Sequence, residues 1–372
     1  MTETVHLPID RLPVAVIQRF MMDVFQGVGI PKADARISAE VLITSDLRGI
    51  DSHGVGRLKY YYDRIVRGQH RTQTEIVVVK ETETTALLDG QHGTGHVIAH
   101  RAMRMAMDKA KGYGMGCVAV RNSTHFGIAG YYPLMAAKEG MIGLTVTNAR
   151  PSITPTFGTE PMLGTNPIAF AAPSDMPYPF CLDMATSICQ RGKIEVADRA
   201  EKPVPEGWVI DADGNPMTDA PTILQNFNDA TAALLPLGGA GEAMAGYKGY
   251  GLAVMVEILS AALSGGAFMK DILGFNEDGS LRPFMVGHFF LAIDVEHLLP
   301  LDVFRSITGG IMRDLQNARK APGQERIYVA GEKEYLKIQE RTQKGIPINP
   351  NLRLELQTMR DELGIEGYEE YF

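Results

Sequence analysis

Ser52 and His53 stand in a stretch broken by three glycines, Arg48-Gly49-Ile50-Asp51-Ser52-His53-Gly54-Val55-Gly56-Arg57. An imidazole exchanges a proton near neutral pH. A guanidinium grips a carboxylate through two parallel hydrogen bonds. With Arg57 four residues after His53, the stretch reads as an acid–base group beside an anion clamp. A loop histidine that caps local backbone is an equally good reading. His125 lies in Arg121-Asn122-Ser123-Thr124-His125-Phe126-Gly127, just past an apolar run. Asn148-Ala149-Arg150 follows the next such run, and Asp183-Met184-Ala185-Thr186-Ser187 follows another. Ligands bind α/β sheets at strand ends. These positions therefore offer an imidazole, an amide with a guanidinium, and a carboxylate able to orient an imidazole. Helix capping is the competing reading, most strongly for Asp183 with Thr186 and Ser187.

Other patterns carry less. Gly93-Thr94-Gly95-His96-Val97-Ile98 has the first two glycines of a dinucleotide fingerprint, but Ile98 stands where the third glycine or alanine belongs. If the chain binds a dinucleotide, it does so without that loop. His92, His96 and His100 recur every four residues, a spacing that stacks side chains on one helix face and suits a transition metal. Neither a cysteine nor a carboxylate stands nearby to complete a ligand set, and no metal is expected. Gly246-Tyr247-Lys248-Gly249-Tyr250-Gly251 opens a long apolar segment. A lysine and free N–H groups at a helix start make an anion site, although a plain glycine-rich helix start fits as well. The Gly-x-Ser-x-Gly elbow of a serine nucleophile is absent.

The elements that must position these groups follow from pattern. Pro13 to Gly27 carries Val14, Ile17, Phe20, Met21 and Phe25 on one helical stripe, and Pro31 opens a second helix. Tyr60-Tyr61-Tyr62 sits on another. The middle alternates: short apolar runs at 75–80 and 84–89, a helix from His96 to Lys111, a strand from Gly116 to Val120, a helix from Tyr132 to Glu139, and strands at Met141–Thr147, Pro167–Ala172 and Pro179–Leu182. Residues 206–221 form a turn-rich excursion. A long helix is expected from Lys248 to Ser264 and a late strand from Val286 to Ile293. Helical patterns return at Val303–Arg319, Lys333–Lys344 and Leu352–Leu363. An α/β fold class is expected: an α/β core over 76–298, with helical segments 1–75 and 299–372 packed together.

Composition narrows the function. The 372 residues suggest two or three structural units. A formal charge of −8 and a single Trp argue against a nucleic-acid partner. The acidic start Met1–His6 lacks the apolar core of a leader. The most apolar stretch, 251–268, carries Glu257 and is too short and too rich in small residues to span a membrane. Three cysteines, Cys117, Cys181 and Cys189, fit a reducing cytoplasm without disulfides.

Five segments together resemble the type-2 malate/L-lactate dehydrogenase family, which includes sulfolactate, ureidoglycolate and 2,3-diketogulonate oxidoreductases and a Δ1-piperideine-2-carboxylate reductase. They are Arg48 to Val55 with Arg57; Asn122-Ser123-Thr124-His125-Phe126-Gly127; Gly164-Thr165-Asn166-Pro167; Leu182-Asp183-Met184-Ala185-Thr186-Ser187; and Lys248-Gly249-Tyr250-Gly251-Leu252. Each alone is weak; five in family order, spanning nearly the whole chain, are specific.

The resemblance implies a non-Rossmann dinucleotide-binding mixed sheet with a helical domain built from both chain ends. It also implies a homodimer, and reversible hydride transfer between NAD, or NADP, and C2 of a small 2-hydroxy or 2-oxo acid. It puts the family's Ser-His pair on Ser52 and His53, its anion clamp on Arg57 and its second histidine on His125. Family members differ in which histidine carries the proton. Asp183 matches an aspartate beside cofactor and acid–base site. Phe180, Cys181, Leu182, Asp183, Met184, Ala185 and Thr186, with Tyr247, Lys248, Gly331, Glu332 and Lys333, match cofactor-contacting stretches. Ala330 replaces a common proline, and Gly158-Thr159 a common Gly-Gly pair.

On this reading the nicotinamide lies near Thr165, Asn166 and Asp183, and Arg57 holds the acid with Asn148 or Arg150. His53 takes the hydroxyl proton, Asp183 orients its ring, and His125 bonds the reacting oxygen or exchanges roles with His53. Malate is the first expected substrate and lactate the second. Imine reduction is the closest alternative, with ureidoglycolate and diketogulonate behind it. A metal-dependent hydrolase on the His92 row and a non-catalytic nucleotide binder are the competing classes.

Overall fold

Ile17, Phe20, Met21, Val24 and Phe25 recur at three- and four-residue spacing, and helix Val14–Gly27 buries all five. Full burial of such side chains contributes about 1.5–3 kcal/mol each. Their partners are helix Lys32–Leu47, Leu58 and Tyr61, and the far end of the chain: Leu356, Met359, Tyr368 and Phe372. Phe20 meets the rings of Tyr368 and Phe372 edge-on at 5.0 and 4.6 Å, the geometry that ring quadrupoles favour. Strand Asp10–Leu12 pairs with Ile346–Ile348. The two chain ends thus share one core. The computed structural model describes residues 10–276 and 278–372; the Met1–His6 start lies outside them.

The middle of the chain builds a seven-stranded sheet. Its spatial order is Val77–Glu81, Thr85–Asp89, Met115–Ser123, Val286–Asp294, Met141–Thr147, Ile168–Ala172 and Phe180–Met184. Only Thr85–Asp89 and Met115–Ser123 run parallel; the other five neighbouring pairs are antiparallel. That is a mixed α/β sheet, not a doubly wound parallel one. Helices Gly95–Tyr113 and Tyr131–Lys138 cover one face, with Ile98, Ala102, Met103, Tyr132 and Phe290 in the core beneath.

Strand register gathers the candidate residues on one rim. Ser123 pairs with Val286, His288 with Thr147, Val146 with Ile168, and Ile168 with Met184. His125, Asn148, Asn166 and Thr186 therefore all lie at or just past the same edge of the sheet.

Three parts differ from the sequence expectation. The long helix is α-helical over Gly246–Glu257 and then widens into a π turn over Ile258–Ala262. The excursion is larger than its turns suggested: Cys189, Ile194, Val209, Ile223 and Leu234 pack into a small core of their own. Helix Leu301–Asn317 packs Met312 against Tyr178 and Val329, on the flank of the sheet, while residues 346–372 join the N-terminal helices.

Candidate active site

The glycine-broken stretch folds as two short turns, Asp51–His53 and Val55–Arg57, between helices Lys32–Leu47 and Leu58–Val66. Buried Asp46, at the end of the first helix, organises them. Its Oδ2 accepts the Val55 N–H at 2.8 Å. A Cβ at Gly54 would sit 1.8 Å from its Oδ1, so only glycine fits there. Burial pushes the Asp46 carboxyl up to about 8, although the Val55 N–H pulls the other way.

This loop aims His53 at His125. The two imidazoles stack with centroids 5.5 Å apart and planes 28° apart. Each ring is held on its Nδ1. Ser52 Oγ lies 2.8 Å from His53 Nδ1. Tyr61 Oη lies 2.6 Å from His125 Nδ1, and the Gly127 N–H donates to the same nitrogen at 3.3 Å. A backbone N–H can only donate, so His125 Nδ1 must accept, and the ring proton resides on Nε2. Burial pushes the Tyr61 phenol up, which keeps it protonated as a second donor. His125 is thereby held neutral with an Nε2–H to offer. His53 has a hydroxyl partner that can donate or accept, so it can change protonation state without losing its contact.

Burial, reinforced by Arg57, lowers the His53 ring to about 4. His125 falls well below its ordinary value, chiefly through burial and then through His53. In solvent accessibility both rings are only partly covered; part of this lowering is therefore relieved where a ring edge meets water or a bound anion. Arg57 donates its Nε to Ser52 O at 3.1 Å, and its guanidinium stands 5.2 Å from the Tyr60 ring. Among the described residues it has no carboxylate partner. Arg64 packs over the same Tyr60 ring at 3.6 Å, and its guanidinium is lowered chiefly by burial, then by Arg57, Arg67 and exposed Arg150. Two guanidinium groups on one tyrosine, with Arg150 near the second, make a strongly anion-attracting corner.

Asp183 does not orient an imidazole. It lies within strand Phe180–Met184, and its Oδ2 accepts the Gly130 N–H at the start of helix Tyr131–Lys138, at 2.8 Å. A free N–H at a helix start attracts a carboxylate more strongly than a neutral ring does, and Ser52 and Tyr61 already hold the two rings. Burial raises the Asp183 carboxyl, with Gly130 and Arg48 pulling it down. Buried Arg48 points an Nη2 at Cys181 Sγ, 3.3 Å away.

Asn148 and Asn166 are bracketed by one buried carboxylate, Glu257. Asn148 Nδ2 donates to its Oε1 at 3.3 Å and to Ala267 O, while Asn148 Oδ1 accepts the Gly287 N–H at 2.8 Å. Asn166 Nδ2 donates to Glu257 Oε2 at 2.8 Å, and its Oδ1 accepts the Ala149 N–H at 3.1 Å. Both amides are spent on joining strand ends, so they shape the rim from behind. Thr165 is half-buried, with its carbonyl taking the Thr186 N–H and hydroxyl.

The segments matched to a cofactor converge along the sheet edge. Cys181 N–H donates to Ala330 O at 3.2 Å, and a Cβ at Gly331 would lie 2.9 Å from Pro179 O. Gly331 has φ +95° and starts helix Glu332–Lys344. Buried Glu332 turns inward to Arg326, Gln316 and the Val329 N–H, while Lys333 reaches over the Tyr328 ring at 4.8 Å. Past Thr186, Ser187 bridges to Pro236, and the Leu237 N–H donates to Thr186 O at 2.8 Å. The following glycine turn closes on the start of helix Gly246–Glu257, where a Cβ at Gly246 would meet Gly239 O at 1.9 Å. Tyr247 and Lys248 are exposed there, and among the described residues Lys248 has no carboxylate partner. Phe180, Leu182, Met184 and Ala185 are partly open beside them. This donor set fits a long, anionic, partly flat ligand: an open strand edge, two glycine-bounded helix starts, and cations free to meet phosphate.

Other sequence patterns resolve differently. Gly95 starts a helix, but its N–H is capped by Thr124 Oγ1 at 2.8 Å, and the backbone of Thr124 and His125 crosses in front of it, so a pyrophosphate has no room. The spaced histidines do not converge: His92 bonds Phe284 O before the helix begins, while His96, fully buried against Tyr61, and His100, near Tyr131, meet different partners along it. A groove of about 910 Å³ lies at the turn between strands Val77–Glu81 and Thr85–Asp89, and its Arg101, Arg104 and Lys109 pair with Asp34, Glu139 and Glu81.

Comparison with known proteins gives the arrangement its class. The sequence pattern of a family described as malate/L-lactate dehydrogenase matches residues 12–357. The chain belongs to the malate/L-lactate dehydrogenase family. It is 46% identical over 363 residues to a malate dehydrogenase of Pyrococcus horikoshii, covering 98% of this chain and 97% of that one. It is 39% identical over 356 residues to an L-sulfolactate dehydrogenase of Methanocaldococcus jannaschii, covering 94% and 97%. The crystal structure of malate dehydrogenase from Entamoeba histolytica superposes with a TM-score of 0.93 at 43% identity, covering 97% of this chain and 99% of that one. The chain is thus a dehydrogenase of the malate/lactate type, in a family with both NAD+ and NADP+ members. Among its described residues no helix is long and apolar enough to cross a membrane.

Proposed function

We propose that this chain interconverts a small 2-hydroxy acid and its 2-oxo acid with NAD as the hydride partner, with malate and oxaloacetate as the first pair and lactate and pyruvate as the second. The observation that carries the reading is the stacked His53–His125 pair beside Arg57, a guanidinium with no carboxylate partner among the described residues. When bound, the nicotinamide takes the C2 hydride of the hydroxy acid or supplies it to the oxo acid.

Arg57 holds the acid's carboxylate through its free Nη groups, with Arg150 adding charge at the open side. His125 donates its Nε2–H to the C2 oxygen. His53 takes the hydroxyl proton as the C–H electron pair leaves, and in reverse its charged ring returns that proton to the developing alkoxide. Arrival of the anion offsets the Arg57 charge that helps to hold His53 neutral. Phe180–Thr186, Tyr247–Lys248 and Gly331–Lys333 would hold the cofactor, Glu332 by fixing its segment from behind, with Thr165 and Asp183 toward the nicotinamide end and buried Asn166 supporting that end.

A second copy of the chain completes the working enzyme on this proposal. Val303, Ile307, Ile311 and Leu315 repeat every four residues along helix Leu301–Asn317, and all four are exposed. Such a stripe on a folded surface supports a protein contact. Sedimentation at a mass twice that of one chain supports the homodimer; a monomer at micromolar concentration rejects it. Two units are proposed: residues up to about 75 with 346–372, and the sheet-bearing remainder, to which helix Leu301–Asn317 belongs. A reducing cytoplasm is proposed from the three free cysteines.

Nicotinamide absorbance tests the chemistry. NADH and NADPH are offered against oxaloacetate, pyruvate, 2,3-diketogulonate and Δ1-piperideine-2-carboxylate, with malate and ureidoglycolate in the oxidative direction. Strong turnover of oxaloacetate with NADH supports the proposal. Turnover of the cyclic imine alone replaces the 2-oxo acid with its C=N counterpart, and no nicotinamide binding rejects the reading.

A further inference from the structure

The Ser52–Arg57 loop and the Gly331–Lys333 segment are far apart in sequence, yet one side chain spans them. Arg341 lies on helix Glu332–Lys344 and is 6% exposed. Its Nη1 donates to the Asp46 carbonyl at 2.5 Å, and the guanidinium also grips the Asp51 carboxylate, with Nη2 to Oδ2 at 3.0 Å. Asp46 in turn holds the Val55 N–H on the far side of His53. One helical turn earlier, the Lys337 side chain lies where a Cβ at Gly49 would be, 2.7 Å away. The same helix thus meets the loop at two points. Its other end begins at Gly331, against the strand edge at Pro179 and Cys181.

We propose that Arg341 is a positioning residue: through Asp46 and Asp51 it fixes the Ser52–Arg57 loop to the helix that borders the cofactor segment, so that the acid and cofactor sides hold one spacing. The idea rests on the function proposed above, since it assigns Ser52, His53 and Arg57 to the acid side. The planar guanidinium suits the task because its fixed fork meets both carboxylate oxygens and a carbonyl with a set geometry, where a lysine offers only a point charge on a flexible stem. Hydride and proton transfers depend steeply on such spacing; a displacement near 1 Å lowers rate by about 100-fold.

The test compares Asp51→Asn, Arg341→Lys and Arg341→Met with the unaltered protein. Asp51 is exposed, so its variant separates loss of the grip from loss of folding. Two readouts are taken: steady-state kinetics with NADH and oxaloacetate, and amide hydrogen exchange of the 50–57 peptide by mass spectrometry. Expected are a kcat about 10- to 100-fold lower in Arg341→Met, partial recovery in Arg341→Lys, and NADH binding within about twofold throughout. Exchange of the 50–57 peptide rises in Asp51→Asn and Arg341→Met, while that of helix Lys32–Leu47 stays unchanged. Unchanged exchange in both of those variants overturns the proposal, and so does unchanged kcat where exchange has risen. If the unaltered protein reduces none of the acids, the dehydrogenase roles of the loop fail, and exchange alone then decides whether Arg341 holds it.

Discussion

The proposed acid side and the proposed cofactor side of the site are built from different parts of the chain's chemistry. Around His53 and His125 the contacts run from side chain to ring: Ser52 on one imidazole, Tyr61 on the other, Arg57 beside both. Along Phe180–Thr186 and Gly331 they run from backbone to backbone, as in Cys181 to Ala330 and Leu237 to Thr186. A side-chain site fails when a functional group is removed. A backbone site tolerates changed side chains and fails when a Cβ is added where the chain passes too close.

Experiments can break that contrast, beginning with the largest effect. His53→Ala should lower kcat by about 10²–10⁴ with NADH binding intact, the usual loss for a general acid–base group; near-full turnover would remove His53 from that role. His125→Ala should cost less, about 10²-fold, because a neutral donor is lost and not the proton carrier. Equal losses would mean that the two rings share the task. Arg57→Lys should raise the KM for the acid by roughly tenfold or more as the planar fork is lost, with the KM for NADH unmoved; steady-state titration of each substrate checks this split.

On the backbone side, Gly331→Ala should do the reverse. Its φ of +95° and the 2.9 Å approach to Pro179 O leave no place for a methyl group, and the left-handed conformation alone costs about 1–2 kcal/mol. The KM for NADH rises while that for the acid holds. If both rise together, the two sides are not separable at this helix. Tyr61→Phe gives the smallest kinetic effect, roughly threefold in kcat by loss of one neutral hydrogen bond, because the Gly127 N–H still holds the His125 tautomer.

Acid also distinguishes the two sides. His53 is lowered to about 4, and His70, His96 and His288 to about 3, all chiefly by burial. An unfolded chain takes up protons on these rings near pH 6.5, while the folded chain does not, so folding stability is fully present above that pH and is lost as pH falls toward those values. Melting temperature should drop steadily from pH 7 to pH 5. His53 and His96 lie on the acid side, so hydrogen exchange at low pH should rise first in residues 50–66 and last in strand Phe180–Met184. Uniform loss across both regions would mean that they unfold as one unit.

Much of this arrangement is legible in the residues. Apolar spacing marks helix Val14–Gly27 and strand Met141–Thr147, because helical and strand periods are local properties of the chain. The glycines around Ser52 and His53 mark a turn for the same reason. Glu257 is visible as a lone charge in an apolar segment, and a buried carboxylate needs partners, but nothing in its neighbourhood names Asn148 and Asn166. Tyr61 is one of three tyrosines in a row, and only the packing of its helix against Phe25 and His96 selects which hydroxyl meets His125. Asp183 shows how choice enters: its type permits orienting a ring or capping a helix, and the position of Gly130 decides for the cap.

Residue type and spacing over a few neighbours mark most of the long helices and sheet strands, several turns, the family and the short list of groups able to move a proton or hold an anion, but not the short strands Asp10–Leu12 and Ile346–Ile348 or helices Arg191–Arg199 and Ala220–Asn228. Tertiary structure decided which groups meet. Tyr61 reaches His125 across 64 residues, Asp183 reaches Gly130 across 53, and Arg341 reaches Asp46 across 295. A hydrogen bond is satisfied by whatever donor the packed chain brings within about 3 Å, and that partner is set by how the helices seat on the sheet.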